Sequence, residues 1–403
     1  MIQKKVLILG SYPIKNPQHG GQKRTKAIVE AYQKNFSKVQ YTAIYPSQYY
    51  SDHSLTDIAV SSPTIKKINK IPNFSDIYCG EAIYIDLAVK RKLEGLIIKF
   101  KPDIIDIEQP YVYLGLRQLL HELSVSPKLI YSSHNIEFHM KVPIFTDLDI
   151  AEEEKQQAIR KIQELEKDLS QNSDMVIAVS DEDAAEYKKL GAKKVVIAPN
   201  GIDRLYPNSN NSPTRAHLKE GAYIVTKKIL FIGSAHPPNW IGFEKMVSLK
   251  LGFLPTYARI YIAGGVSDYL MKTINSHSIE DLTFWQRAIA CGRVSEKKLN
   301  NLLTDTDVII LPITEGGGSN LKTAEAFIAN KKIVATSYAM RAYEYLASMP
   351  NLFIADKPED FRKAIVEALD AKFISRSTEE DKLVQKVLWE NCLEHMMQEV
   401  AKL

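Results

Sequence analysis

The 403-residue sequence has no apolar run long enough to cross a bilayer. Its opening, Met1-Ile-Gln-Lys-Lys-Val-Leu-Ile-Leu-Gly10, is apolar only from Val6 to Leu9. No small-residue cleavage site follows, so this reads as a first buried strand rather than a secretion signal. Three cysteines, Cys79, Cys291 and Cys392, are too few and too scattered for a disulfide framework or a zinc site. With no export signal, the expected compartment is the cytoplasm. A G-x-x-x-x-G-K-[ST] phosphate loop is missing, and so is G-x-G-x-x-G after the first strand, which counts against an ATPase or a dehydrogenase. There is no low-complexity segment. The net charge of +4 is modest and the basic residues are scattered, so nucleic acid is not an expected partner.

What is present suits two domains. Hydrophobic residues at 45% and charged residues at 25% are the balance of a globular chain, and the length exceeds one ordinary core. Short apolar runs alternate with segments of helical period. In the first half the expected strands are 5–9, 39–44, 104–107, 128–132, 175–179 and 195–198. In the second half they are 229–232, 258–263, 308–311, 333–335 and 352–354. Most are apolar throughout, which fits strands buried on both faces of a parallel sheet. The expected class is therefore α/β, with right-handed crossovers. Helices are expected over 151–170, over 181–190 with Gly191 as its cap, and from a capping box at Asp356-Lys-Pro-Glu359 to Leu369. The turn Pro199-Asn-Gly-Ile-Asp203 sets a boundary, giving domains over 1–200 and 205–375. The polar stretch Tyr206–Gly221 reads as a linker or loop. A last helix over 379–403 either caps the second domain or returns to the first.

One segment carries the chemistry. Pro312-Ile-Thr-Glu315-Gly316-Gly317-Gly318-Ser319-Asn320-Leu-Lys322-Thr-Ala-Glu325 ends a strand, runs through three glycines and opens a helix. Glycines allow close backbone approach, and a helix start supplies free N–H donors and positive dipole. At the carboxyl end of a parallel strand this is an anion site, and a diphosphate is its natural occupant. Lys322 adds a point charge. Glu325, three residues on, shares its face and suits the paired hydroxyls of a ribose. The plain alternative is a Lys322–Glu325 surface pair beside a flexible loop.

With these segments in view, the chain resembles glycosyltransferase family 4 and its GT-B relatives. The resemblance is carried by Gly20-Gly21, Ser133-His134-Asn135-Ile136-Glu137, Val196-Ile-Ala-Pro-Asn-Gly-Ile-Asp203 and Phe231-Ile-Gly233-Ser234. Ile262-Ala-Gly264, Gly292-Arg293-Val294 and the glycine-rich loop complete it. It implies two Rossmann-like domains with parallel sheets facing a central cleft, the second holding the donor. It implies a retaining enzyme that moves a hexose-type sugar from a UDP- or GDP-type sugar to a glycan or lipid-linked acceptor in cell-surface polysaccharide synthesis. No metal and no cofactor beyond that co-substrate are expected. Gly20, Gly21 and Gly233 are expected near the diphosphate, and His134 at the donor sugar. Arg293 and Val294 belong by the base, Gly316, Gly317, Gly318, Ser319, Asn320 and Lys322 on the phosphates, and Glu325 on the ribose. The family usually has a Glu where Gly317 stands, so Glu315 is the nearest carboxylate for the sugar. The family's Arg and Lys after the first strand of domain two are missing from Gly233–Trp240, which leaves more of the charge to Lys322.

Other candidates are weaker. Glu108 follows the 104–107 strand and could equally meet acceptor or sugar or be structural. Asp305-Thr-Asp307 is a D-x-D at the wrong end of its strand for a ligand. Asp181-Glu-Asp183 reads as helix-start acids, and His139, Trp240 and Trp285 as ordinary or packing residues. Residues 1–100 hold 15 Lys and Arg against 7 Asp and Glu, either a solvated face or contact with an anionic membrane, which would place the enzyme at the membrane's inner face. The competing functions are a nucleotide-sugar 2-epimerase on the same fold and a non-catalytic nucleotide-sugar-binding member.

Overall fold

The computed structural model describes residues 1–68, 78–146, 149–205, 227–274, 279–316 and 320–403. The stretch Tyr206–Gly221 lies outside the described residues, as do Gly317, Gly318 and Ser319. The chain divides into two units, Met1–Asn200 with Trp389–Leu403, and Gly201–Leu388.

The first unit is built on β1 (Ile2–Gly10), β2 (Phe36–Pro46), β3 (Ile58–Val60), β4 (Ile104–Glu108), β5 (Lys128–Ser132), β6 (Met175–Ala178) and β7 (Val195–Ile197). Their order is β3-β2-β1-β4-β5-β6-β7, with every pairing parallel. The second unit has β8 (Lys227–Ile232), β9 (Ala258–Ala263), β10 (Ala288–Gly292), β11 (Val308–Leu311), β12 (Lys332–Ala335) and β13 (Leu352–Ile354). Their order is β10-β9-β8-β11-β12-β13, again parallel throughout. Parallel strands need long crossovers, and these place helices on both faces of each sheet.

This explains the unbroken apolar runs. In β1, Leu7 and Leu9 join one core while Val6 and Ile8 join another on the opposite face. In the second unit Ile229 and Phe231 go to one face and Leu230 to the other. Two strands escaped the sequence reading. β3 is only three residues long, and β10, Ala288-Ile-Ala-Cys-Gly292, is rich in small residues and mostly half-exposed. Both are edge strands, where the burial signal is weakest.

Two helix expectations are corrected. Asp356 does not cap the helix Pro358–Asp370, whose N-cap is Lys357 without a side-chain bond. Its carboxylate instead accepts Ser337 N and Oγ, each at 2.7 Å. The single helix expected over 379–403 is three, Thr378–Gln385, Trp389–Cys392 and Glu394–Val400. The break has a cause. Val387 O accepts Ile202 N at 2.9 Å and Leu388 pairs with Ile202 as in a parallel sheet, which helical backbone cannot do. Beyond it, Leu393, Met396, Met397 and Val400 complete the core on the Val6 and Ile8 face of the first unit.

Met396 is fully buried there, whereas Met271 is 54% exposed. Met396→Ala is expected to cost roughly 2–5 kcal/mol and Met271→Ala close to nothing. Urea unfolding followed by circular dichroism checks this, with equal midpoints for the two variants as the contrary result.

Candidate functional site

In a doubly wound sheet, ligands bind outside the carboxyl ends of the strands, where the winding reverses. Each unit has one such point. In the first it lies between β1 and β4, and in the second between β8 and β11.

At the second unit's switch point the loops pack backbone to backbone. A Cβ on Gly264, at φ +92°, would lie 2.3 Å from the Gly233 carbonyl. One on Gly242 would lie 2.1 Å from the carbonyl of Pro312. Gly233 is itself enclosed, with a Cβ there 3.0 Å from Val266 and 3.1 Å from Asn239. Asn239, in the first turn of the helix Pro237–Met246, is buried. Its Nδ2 donates to Ser234 O at 3.0 Å and Oγ at 3.1 Å, and its Oδ1 accepts Lys322 Nζ. Gly316, at φ +111°, rests against Pro238 of the same helix. The helix Leu321–Ile328 then opens from Asn320, which is buried and donates from Nδ2 to Thr323 Oγ1 at 3.1 Å.

Burial pulls the Lys322 ammonium down to about 8, and the Glu325 carboxylate opposes that shift. The expected neighbourhood of Gly316, Asn320, Lys322 and Glu325 is thus present at the carboxyl end of β11. Glu315 is exposed beside Gly316. Arg293 and Val294 follow β10, whose Gly292 accepts Gly264 N–H on its carbonyl at 2.8 Å and donates its own N–H to Ser267 Oγ at 3.1 Å. Arg293 is 82% exposed, with Nε 3.5 Å from Asp268. Asp307, by contrast, accepts Lys228 N at 2.8 Å at the amino end of β8. The D-x-D therefore sits at the far end of the sheet from the glycine loop.

At the first unit's switch point, Glu108 ends β4 and His134 follows β5. His134 Nε2 lies 2.7 Å from Glu108 Oε2, and its Nδ1 lies 3.0 Å from the Tyr12 hydroxyl. A ring nitrogen facing a carboxylate carries the proton, so Nε2–H donates to Glu108 and Nδ1 accepts from Tyr12. Thr25 Oγ1 also donates to Glu108 Oε2, at 3.0 Å. Gly21, in the first turn of the helix Gly20–Asn35, closes over this group. A Cβ there would meet the Tyr12 hydroxyl at 2.6 Å and His134 Nδ1 at 3.3 Å, whereas Gly20 faces open space.

Beneath lies a buried charge set. Arg24 donates from Nη1 to Ala198 O at 2.9 Å and to Asn200 Oδ1 at 3.2 Å. Tyr32 donates to Asp106 Oδ2 at 2.7 Å. Burial, helped by the charge of Glu108, lifts Asp106 to about 8. Burial lifts Glu108 to about 7 while Arg24 holds it down. Burial and then Arg24 take His134 down to about 3, so the imidazole is neutral near neutral pH. One guanidinium thus balances one carboxylate, with Asp106 held as an acid. Tyr12, Arg24, Thr25 and Asp106 were not singled out in the sequence. Asp106, a charge set between Ile105 and Ile107 in β4, is the signal that could have found this cluster.

Paired parallel-sheet domains of this kind define the GT-B architecture, and solved structures share it along their whole length. A sucrose-phosphate synthase from Thermosynechococcus elongatus has 14% identity and a TM-score of 0.64, covering 99% of each chain. Anabaena HepE in complex with UDP has 14% identity and a TM-score of 0.62, covering 99% of this chain and 100% of that one. The catalytic domain of starch synthase IV from Arabidopsis thaliana, bound to ADP and acarbose, has 12% identity and a TM-score of 0.59, covering 99% and 98%. No curated protein matches by sequence. Residues 18–204 match the model of Glycosyltransferase Family 4. That match, with the shared architecture, bears out the expectation of a glycosyltransferase.

The buried acids carry a pH signature. Both have folded values raised above their unfolded ones, so their favourable contribution is complete below about pH 4 and is lost as pH climbs through about 7 to 8. Asp106→Asn is expected to gain on the parent between pH 5 and pH 9 in thermal melts. A constant difference across that range is the contrary result.

Proposed function

We propose that the chain is a retaining, metal-independent glycosyltransferase. It would move a hexose-type sugar from a UDP- or GDP-type donor to a glycan or lipid-linked acceptor in cell-surface polysaccharide synthesis. The observation that carries this is the meeting of Gly316, the Leu321–Ile328 helix start, Lys322 and Glu325 at the second unit's switch point. HepE, of the same fold, has been solved with UDP and with UDP-glucose.

In this proposal the bond from the sugar's anomeric carbon to the diphosphate breaks as the acceptor oxygen attacks from the same face. The acceptor's proton passes to the leaving phosphate oxygen. Negative charge grows on the diphosphate, and Lys322 with the helix-start amides stabilises it. Losing one such preoriented donor costs roughly 3–4 kcal/mol of barrier by analogy with oxyanion holes. Glu325 holds the ribose, Arg293 and Val294 flank the base, and Glu315 serves the sugar. Gly20, Gly21 and Gly233 are assigned to the diphosphate in this proposal. His134 stands near the donor sugar as a neutral imidazole rather than a base, because burial disfavours its protonation and Glu108 and Tyr12 hold its two ring nitrogens.

No helix of the described residues is long and apolar enough to cross a membrane. A cytoplasmic enzyme touching an anionic inner face through its basic first hundred residues belongs to the same proposal. Exposed Ile85 and Leu87 beside Lys90, Arg91 and Lys92 suit such contact.

Thermal melts with UDP, GDP, ADP and CMP in the presence of a chelator test the donor site. One nucleoside diphosphate is expected to stabilise the parent, with affinity lowered roughly tenfold or more in Glu325→Ala. An unchanged melting temperature across the panel would count against the site. Turnover of the matching nucleotide sugar without acceptor, giving its C2 epimer, would point to the epimerase. Binding with no turnover would point to a non-catalytic member.

Lys322 makes binding pH-dependent. Its charge is half lost at about pH 8 in the free protein and vanishes as pH rises further, while a bound anion pushes the value up. Affinity for the stabilising diphosphate is expected to fall between pH 8 and pH 10, and calorimetric titration over that range would show it. Equal affinity at both ends would remove Lys322 from the phosphate site.

A further inference from the structure

The donor proposal leaves a shortage of positive charge. Across Gly233–Trp240, Pro312–Lys322 and Thr336–Asn351, the loops after β8, β11 and β12, the sequence holds two strongly basic side chains, Lys322 and Arg341. The diphosphate of a nucleotide sugar carries about two negative charges, and the departing nucleoside diphosphate carries more. Lys322 alone, depressed by burial, is a poor match for it.

Arg341 stands where the second charge is needed. It follows the short 3-10 helix Ser337–Met340 after β12, the strand paired with β11. Its Nη1 donates to the carbonyl of Gly316 at 2.7 Å, and Tyr338 donates its hydroxyl to the same oxygen. The guanidinium lies over the Tyr338 ring, 4.4 Å from the centroid. Two further bonds fix this segment to the loop and helix after β11. Thr323 Oγ1 donates to Ala339 O at 2.7 Å, and Thr336 Oγ1 donates to Ile313 O. Gly316 in turn rests on Pro238, the neighbour of the Asn239 that holds Lys322. Both cations are thereby tied to the first turn of one helix.

The arrangement has two consequences for an anion. A carbonyl oxygen turned toward phosphate would repel it, and two donors on Gly316 hold that oxygen where it is. A guanidinium presents five N–H donors in one plane, so bonding a carbonyl is compatible with binding phosphate as well. Stacking on Tyr338 fixes that plane.

We propose that Arg341 is the second cation of the donor diphosphate site, acting with Lys322, with Tyr338 as its positioning residue. The proposal rests on the nucleotide-sugar reading above.

Calorimetric titrations with UDP, GDP and inorganic pyrophosphate at several salt concentrations test it, on the parent, Arg341→Ala, Arg341→Lys, Tyr338→Phe and Glu325→Ala. Arg341→Ala is expected to weaken the nucleotide that binds, and pyrophosphate too, by roughly tenfold or more, and to flatten the salt dependence. Arg341→Lys should keep the salt dependence of the parent. Tyr338→Phe should weaken both ligands less than Arg341→Ala does. Glu325→Ala should weaken the nucleotide but not pyrophosphate. Unchanged affinity and salt dependence in Arg341→Ala, with Glu325→Ala still impaired, would overturn this inference alone. Equal weakening in the Ala and Lys variants with an unaltered salt slope would make Arg341 a brace for the loop and overturn it too. A parent chain that binds none of the three ligands would overturn the donor reading and this inference together.

Discussion

Everything in the molecule follows from keeping all strands of each sheet parallel. A parallel ladder cannot be closed by tight turns, so each strand must be followed by a crossover long enough to hold a helix. The helices cover both faces, which is why the strands are apolar on both sides. All carboxyl ends then lie along one edge, and loops there are free to vary without touching the core. Where winding reverses, two of these loops diverge and leave a place that no crossover fills. Gly21, Glu108 and His134 stand at that place in the first unit, and Gly316, Lys322 and Glu325 in the second.

The two places solve different electrostatic problems. In the first unit charge is internal. Arg24, Glu108 and Asp106 are buried together, and the set is tolerable because one acid keeps its proton and the remaining pair is of opposite sign. The result is a neutral imidazole with its tautomer set by Glu108 and its far nitrogen by Tyr12. In the second unit charge is left uncancelled. Lys322 is half-withdrawn from water and tethered by a neutral amide, Asn239, rather than by a carboxylate that would cancel it.

Much of this was legible in the sequence, for stated reasons. Central strands such as β6 and β11 have both faces buried, and their apolar runs mark their limits closely. Edge strands β3 and β10 bury less and were missed. The glycine loop, Lys322 and Glu325 were visible because their spacing is local. His134 and Gly21 came from a family pattern, and their contact across more than a hundred residues supplies the physical reason for the glycine. Asn239, Tyr338 and Arg341 had no local signal, because their roles depend on which loops the sheet order brings together. Asp356 shows the reverse error. Its spacing to Glu359 was right for a cap, but the nearer donor was Ser337, from a different loop.

The return of residues 389–400 to the first unit has a bearing on how the protein is made. Leu393, Met396 and Val400 share the Val6 and Ile8 face of the sheet with Ile28 and Tyr32 of the helix Gly20–Asn35. Local chain covers part of that face early, but the rest waits until translation has passed through the whole second unit. The first unit's core is therefore sealed last, by residues that follow the other unit in the chain.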